Sequence, residues 1–157
     1  VDQLGEMLNQ KGFENYLVEV GGELRVKGLN RESSKWAIGI EAPSTSERVP
    51  HAVVNVTNTS VATSGDYRNY FEHQGQRFSH TIDARTGRPV RHNLAAVTVI
   101  DASAAYADAM ATALLVLGPD AGPALAEKLH VAAYFLVRDQ TDIREITTTE
   151  FDTLGAQ

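Results

Sequence analysis

The chain predicts an α+β fold: a mostly antiparallel sheet with two principal helices. Three observations point there. Short β-type runs, each ended by glycine, proline or polar turn residues, follow one another without the regular βαβ alternation of a parallel sheet. Two helical stretches stand back to back, separated only by Gly118-Pro119. No glycine-rich dinucleotide fingerprint of the strand–turn–helix kind occurs.

The elements follow in order. Leu4, Met7 and Leu8, with Lys11 and then Gly12, read as the tail of an amphipathic helix with a glycine stop. A helix that begins with the chain and has no capping residue reads as cut rather than started. Residues 16–20 and 23–28 are two strand segments meeting at Gly21-Gly22, a glycine kink or bulge. Residues 36–41 form a strand stopped by Pro43, and 44–50 a polar loop. The β pattern continues at 52–56 and 60–63. Strands 68–73 and 77–82 flank Gln74-Gly75, a hairpin signal. Residues 83–89 are turn-rich, and 94–100 form a buried strand rich in β-branched residues. Helices are expected over 103–117 and 120–130. Strands at 131–137 and 142–148 surround a polar turn, and 149–154 form a last short helix.

A chain of 157 residues, 43% apolar and 22% charged, suits one compact domain with a real core. It has no cysteine, which excludes a disulfide framework, thiolate zinc sites and a cysteine nucleophile. The formal charge is −6 and the basic residues are scattered, so no surface tracks nucleic-acid phosphates. A polyanionic ligand would need backbone N–H groups or a divalent cation. No apolar stretch reaches the ~18–20 residues that span a bilayer, and no signal-like sequence opens the chain.

Several residues have the chemistry of a site. Asp108 and Thr112 are four apart and share one helix face, among neighbours that are nearly all small. A carboxylate and a hydroxyl on an alanine-paved face would let a metal and phosphates come close, and hard oxygen donors suit Mg²⁺. The plainer reading is a polar stripe on an alanine-rich helix. His80, in Ser79-His80-Thr81-Ile82-Asp83, stands at a strand end beside a tight loop, where an imidazole serves as a general base or merely caps the turn. Asp83 reads as a turn former. Ser64 and Gly65, in Thr63-Ser64-Gly65-Asp66-Tyr67, could present hydroxyl and N–H groups to a phosphate, or form an ordinary turn. Gly21 and Gly22 would allow close approach of a ligand to the backbone. Trp36 and Tyr70 read as core aromatics, and His51, His73, His92 and His130 as surface or loop residues.

In order, Val20-Gly21-Gly22-Glu23-Leu24, Ala62-Thr63-Ser64-Gly65-Asp66-Tyr67-Arg68, His80-Thr81-Ile82-Asp83-Ala84-Arg85-Thr86-Gly87-Arg88-Pro89 and Ala107-Asp108-Ala109-Met110-Ala111-Thr112-Ala113-Leu114 resemble the FAD:protein FMN transferases, once called thiamine-biosynthesis lipoproteins. The resemblance covers essentially the whole chain and implies the carboxy-terminal portion of a single, larger flavin transferase domain. It implies that FAD is split at its pyrophosphate and that FMN passes to a threonine hydroxyl of an acceptor protein, with AMP released and Mg²⁺ required. It implies Asp108 and Thr112 as metal ligands, His80 as the base for the acceptor threonine and Ile82 as a backbone contact to the flavin nucleotide. It also implies an exported, periplasmic or membrane-anchored bacterial protein. Ala84 departs from the proline usual in this loop. An amino-terminal part, which supplies flavin-stacking residues, a glycine-rich segment and a further metal contact, is expected to pair with this chain. Two rival readings stay open: a metal-dependent FAD pyrophosphate hydrolase giving FMN and AMP, and a non-enzymatic flavin-binding or assembly module. The preference between Mg²⁺ and Mn²⁺ is also open.

Overall fold

The computed structural model describes residues 1–43, 50–66, 70–73, 76–140 and 142–155. In chain order these form α1 (Asp2–Gln10), β1 (Tyr16–Val20), β2 (Glu23–Lys27), β3 (Trp36–Glu41), β4 (Pro50–Val56), β5 (Thr59–Gly65), β6 (Tyr70–His73), β7 (Gln76–Ser79), β8 (Ile82–Asp83), β9 (Arg88–Pro89), β10 (Leu94–Asp101), α2 (Ala104–Lys128), β11 (Ala132–Asp139), β12 (Asp142–Thr147) and α3 (Thr149–Gly155). The α+β expectation holds. Six strands make one sheet in the order β1-β2-β5-β10-β11-β12, with every pair antiparallel. β3–β4, β6–β7 and β8–β9 form three separate two-stranded ribbons. Residues 44–49 and the Gln74-Gly75 turn lie outside the described residues.

Gly21-Gly22 is a two-residue hairpin turn rather than a kink or bulge. Val20 pairs directly with Glu23. Both glycines have positive φ, 72° and 112°, which only glycine adopts freely in such a connection. The strand expected over 77–82 is also broken. β7 ends at Ser79, His80 sits in a bend and β8 starts at Ile82.

Both faces of the central sheet are covered, so seven consecutive residues of β10, 94–100, are buried without polar alternation. On one face, Ala62, Val97, Val99, Ala133, Phe135 and Val137 pack against Ala107, Ala111, Leu114 and Leu115 of α2. On the other, Val26, Val61 and Ile100 meet Ile38 and Val56 of the β3–β4 ribbon, while Ala96, Tyr134 and Leu136 meet Ile40. Phe151 of α3 completes this second layer, 5.2 Å from Tyr134 between ring centroids. A hydrogen-bonded pair, His51 Nε2 and Glu145 Oε1 at 2.8 Å, ties β4 to β12.

α2 contains the expected break. Gly118 has φ 84° and ψ −175°, so two helical halves meet there, and Pro119 opens the second half with its pre-set φ. A side chain at Gly118 would come within 3.0 Å of the His92 ring. His92 lies in a loop, as expected, but both its ring nitrogens are shielded from solvent and have no hydrogen-bond partner among the described residues. By length and composition α2 is apolar enough to cross a membrane, contrary to the expectation from the sequence. Its fully buried face, however, packs along the sheet.

Asp2 joins the start of the chain to the first turn of α2. Its carboxylate accepts hydrogen bonds from the Ser103 hydroxyl, the Ala104 and Ala105 N–H groups (3.0 Å each) and Arg25 Nη1 (2.7 Å). An anion at a helix N-terminus satisfies otherwise orphaned N–H groups and complements the helix dipole. Burial pushes the Asp2 carboxyl upward. The two N–H groups, Ser103 and Arg25 together outweigh it and hold the pKa down at about 2, against an ordinary 3.8. A depressed carboxylate pKa stabilises the fold above the unfolded-state value, and that contribution is lost as pH falls from about 4 to about 2. With the side chain 30% exposed, solvent screening reduces the contribution to roughly 1–2 kcal/mol. Asp2→Ala is expected to lose this at neutral pH and to flatten the acid limb of a denaturation-midpoint-against-pH curve. An unchanged acid limb would contradict the assignment.

Candidate functional site

β5 extends beyond the end of β2. The β2–β5 ladder ends at Leu24↔Val61, while β5 stays paired with β10 as far as Gly65↔Ala96. Beside residues 62–65 the Gly21-Gly22 turn closes the neighbouring hairpin, so among the described residues one edge of β5 has no strand alongside. The notch connects the two faces of the sheet. A cavity of about 780 Å³ occupies it, within the size range of small-molecule sites. Its floor is β1, β2 and β5, one wall is β3 and the opposite rim is α2.

The cavity brings together seven of the eight residues singled out in the sequence: Gly21, Gly22, Ser64, Gly65, His80, Asp108 and Thr112. Ile82 is the exception. Its side chain is exposed and does not line the cavity.

Each residue is held for a local reason. Asp108 and Thr112 project from the first half of α2, one turn apart and both exposed, while Ala107 and Ala111 turn inward and are fully buried against the sheet. The small alanines let the helix lie close over β5, and the Ser64 and Thr112 hydroxyls are 2.8 Å apart. Asp66, just beyond, is clamped by both Arg138 Nη atoms at 2.8 and 2.6 Å and donates its N–H to the Ala95 carbonyl. That bidentate pair fixes the strand end carrying Ser64 and Gly65.

His80 is exposed between two buried neighbours, Ser79 and Thr81. The Thr81 N–H donates to Ser79 Oγ at 3.1 Å, and Val90 N–H donates to the Thr81 carbonyl at 3.1 Å. The loop beyond is closed by Asp83 in the turn-forming role expected of it. Asp83 Oδ1 accepts from the N–H of Arg85 at 2.9 Å, and the Asp83 carbonyl accepts from Gly87 N–H at 2.8 Å. The loop thus closes with Ala84 in place of a proline. The Arg85 guanidinium hydrogen-bonded to Asp83 holds that carboxyl below its usual range.

Sequence reasoning missed three lining carboxylates: Glu19, Glu23 and Glu41. Glu19 was recognisable in principle, because it alternates with Leu17 on one strand face, and Leu17 also lines the cavity. With Asp108, four carboxylate residues line the cavity, and no lysine or arginine is among the described lining residues. A phosphate ligand placed here needs cationic neutralisation. Asp108 and Thr112 offer the hard oxygen donors that Mg²⁺ prefers, and a Mg²⁺ shell is ordinarily completed by water and phosphate. Among the described residues, no group of three or more His, Asp or Glu side chains gathers to hold a metal.

The ApbE family's sequence profile matches residues 1–135. The FAD:protein FMN transferase of Vibrio cholerae is 43% identical over 151 residues, which is 96% of this chain and 45% of that protein. The FAD:protein FMN transferase of Haemophilus influenzae is 48% identical over 139 residues, 88% of this chain and 40% of that protein. The fold superposes on the apo flavinyl transferase ApbE of Pseudomonas stutzeri with a TM-score of 0.86 at 46% identity, covering 100% of this chain and 48% of that one. The ApbE protein of Thermotoga maritima gives 0.85 at 26% identity, covering 98% and 49%. The chain thus spans less than half the length of the relatives it matches, but over that span the profile, the relatives and the fold agree, and it belongs to the ApbE family.

Proposed function

We propose that this chain carries the metal and base side of a flavin transferase site, which moves FMN from FAD onto a threonine hydroxyl of an acceptor protein and releases AMP. One observation carries the reading: a single cavity holds the helix-borne oxygens of Asp108 and Thr112 together with His80. Asp108 and Thr112 would hold the Mg²⁺, which when bound neutralises pyrophosphate charge and polarises its oxygens. His80 takes the proton from the acceptor threonine Oγ as that oxygen attacks the FMN-side phosphorus. The P–O bond to AMP breaks, and AMP leaves with the bridging oxygen. Little covalent chemistry is asked of the protein, because phosphoryl transfer depends mainly on positioning and charge neutralisation.

Gly21, Gly22, Ser64 and Gly65 line the path of the dinucleotide, and the Ile82 backbone contacts the flavin nucleotide. In this reading residues 1–157 are the carboxy-terminal portion of one flavin transferase domain, pairing with an amino-terminal part, and the protein works in the periplasm or anchored to a membrane. Close relatives named as FMN transferases over nearly the whole chain support the transfer reading.

The test uses the complete protein with FAD, Mg²⁺ and an acceptor protein carrying the target threonine. The expected result is acceptor mass increased by one FMN, with AMP formed in equal amount. Stoichiometric free FMN and AMP, with no mass gain on the acceptor, would replace transfer by hydrolysis.

A further inference from the structure

We propose that Ser64 is a positioning residue whose hydroxyl fixes the rotamer and proton of Thr112. This assigns the Ser64 side chain to the metal-binding helix rather than to a phosphate, and it rests on the reading of Asp108 and Thr112 as metal ligands. A threonine hydroxyl has one proton and two lone-pair sites. When a lone pair faces a cation, the proton must point elsewhere and needs an acceptor. Ser64 Oγ, 2.8 Å from Thr112 Oγ1, stands where that acceptor is needed.

The need is greater because Thr112 is a helix residue. In helices a threonine side chain divides its time between two rotamers, one of which turns the hydroxyl back to the carbonyl of the preceding turn. For Thr112 that is the carbonyl of Asp108. In that rotamer the helix backbone, not β5, sets where Oγ1 and its proton lie. A hydrogen bond across to β5 selects the other use of the group.

The scaffold is arranged for this contact. Ser64 pairs with Val97 and lies on the same face of β5 as Ala62. Ala62 packs in the cluster that includes Ala107 and Ala111, the inward neighbours of the two ligand positions. Small residues on both elements set the helix-to-strand spacing, and the Asp66–Arg138 clamp two residues on holds the strand in register.

The experiment measures Mn²⁺ binding to the complete protein in the presence of FAD, following free Mn²⁺ by its EPR signal. The proteins are the parent, Ser64→Ala, Ser64→Thr, Thr112→Ala and the double variant Ser64→Ala/Thr112→Ala. Loss of a group that orients a metal ligand typically weakens metal binding by 10–100-fold. Ser64→Ala is expected to weaken Mn²⁺ binding at least about tenfold, and Ser64→Thr, which keeps the hydroxyl, to restore most of it. The double variant should bind no more weakly than Thr112→Ala alone, because Ser64 acts only through Thr112. A merely structural serine would weaken binding in the Thr112→Ala background as well, and additive losses of that kind would overturn the proposal. So would parent-like binding by Ser64→Ala when Thr112→Ala binds weakly. Parent-like binding by Thr112→Ala would remove the metal-site reading itself, and the proposal with it.

Discussion

Replacing Asp108 by alanine is expected to abolish Mg²⁺-dependent FAD cleavage by the complete protein. The site has few protein donors, and Asp108 is the only charged one on the helix face that also carries Thr112. Outer-shell changes at metal sites already cost 10–100-fold in affinity or activity, so loss of a direct ligand should cost at least on the order of 100-fold. The deficit should be largest at limiting Mg²⁺ and should shrink as Mg²⁺ is raised. Thr112→Ala removes a neutral donor and should lose less. Helix stability is no confounder: Asp108 is exposed, and alanine is the best helix former. Full activity of Asp108→Ala at limiting Mg²⁺ would exclude it as a ligand.

His80→Ala is expected to slow transfer by roughly 10²–10⁴-fold, the usual contribution of a positioned general base. FAD affinity should change little if, as proposed, the proton His80 handles belongs to the acceptor. The split distinguishes a base from a binding residue. Transfer rate and FAD dissociation constant, measured on one preparation, should move apart. If they worsen together, His80 holds the nucleotide or the loop. His80 is exposed between buried Ser79 and Thr81, so its truncation removes no core packing that could account for the loss.

The strands were legible where the pattern was local. β1 and β3 occupy the residues expected of them, because each is a short β-prone run ended by glycine or proline. The break in α2 was legible from Gly118-Pro119, and the Asp83 turn from the habit of aspartate to bond the backbone two residues on. The strand expected across 77–82 failed for a physical reason. There Ser79 and Thr81 point inward while Ile82 is half exposed, the reverse of the polarity that period-2 reading assumes. Gly21-Gly22 was ambiguous because a bulge and a tight hairpin both use positive-φ glycine, and only the Val20↔Glu23 register separates them. The approach of the His92 ring to Gly118 joins residues 26 apart and leaves no local trace. For the site, Asp108, Thr112 and His80 taken singly read as well as a polar stripe and a turn cap, and it was the ordered resemblance that singled them out. What made them one place was the long-range order β2-β5-β10, which no spacing encodes.

Strand β3 forms a wall of the cavity, but among the described residues the β3–β4 ribbon shares no hydrogen-bond ladder with the six-stranded sheet. Its attachment is an apolar seam, Ile38, Ile40 and Val56 against the sheet, with Trp36 Nε1–H donating to the Lys27 carbonyl of β2 at 3.1 Å and the His51–Glu145 pair at its margin. In thermodynamic terms the ribbon is expected to open locally before the sheet does. Displacing it exposes apolar surface to water but breaks no strand pairing of the sheet, so its opening free energy lies below that of global unfolding. In the flavin transferase reading proposed above, a dinucleotide would enter past the β3 side of the cavity, opposite Asp108 and Thr112 on α2.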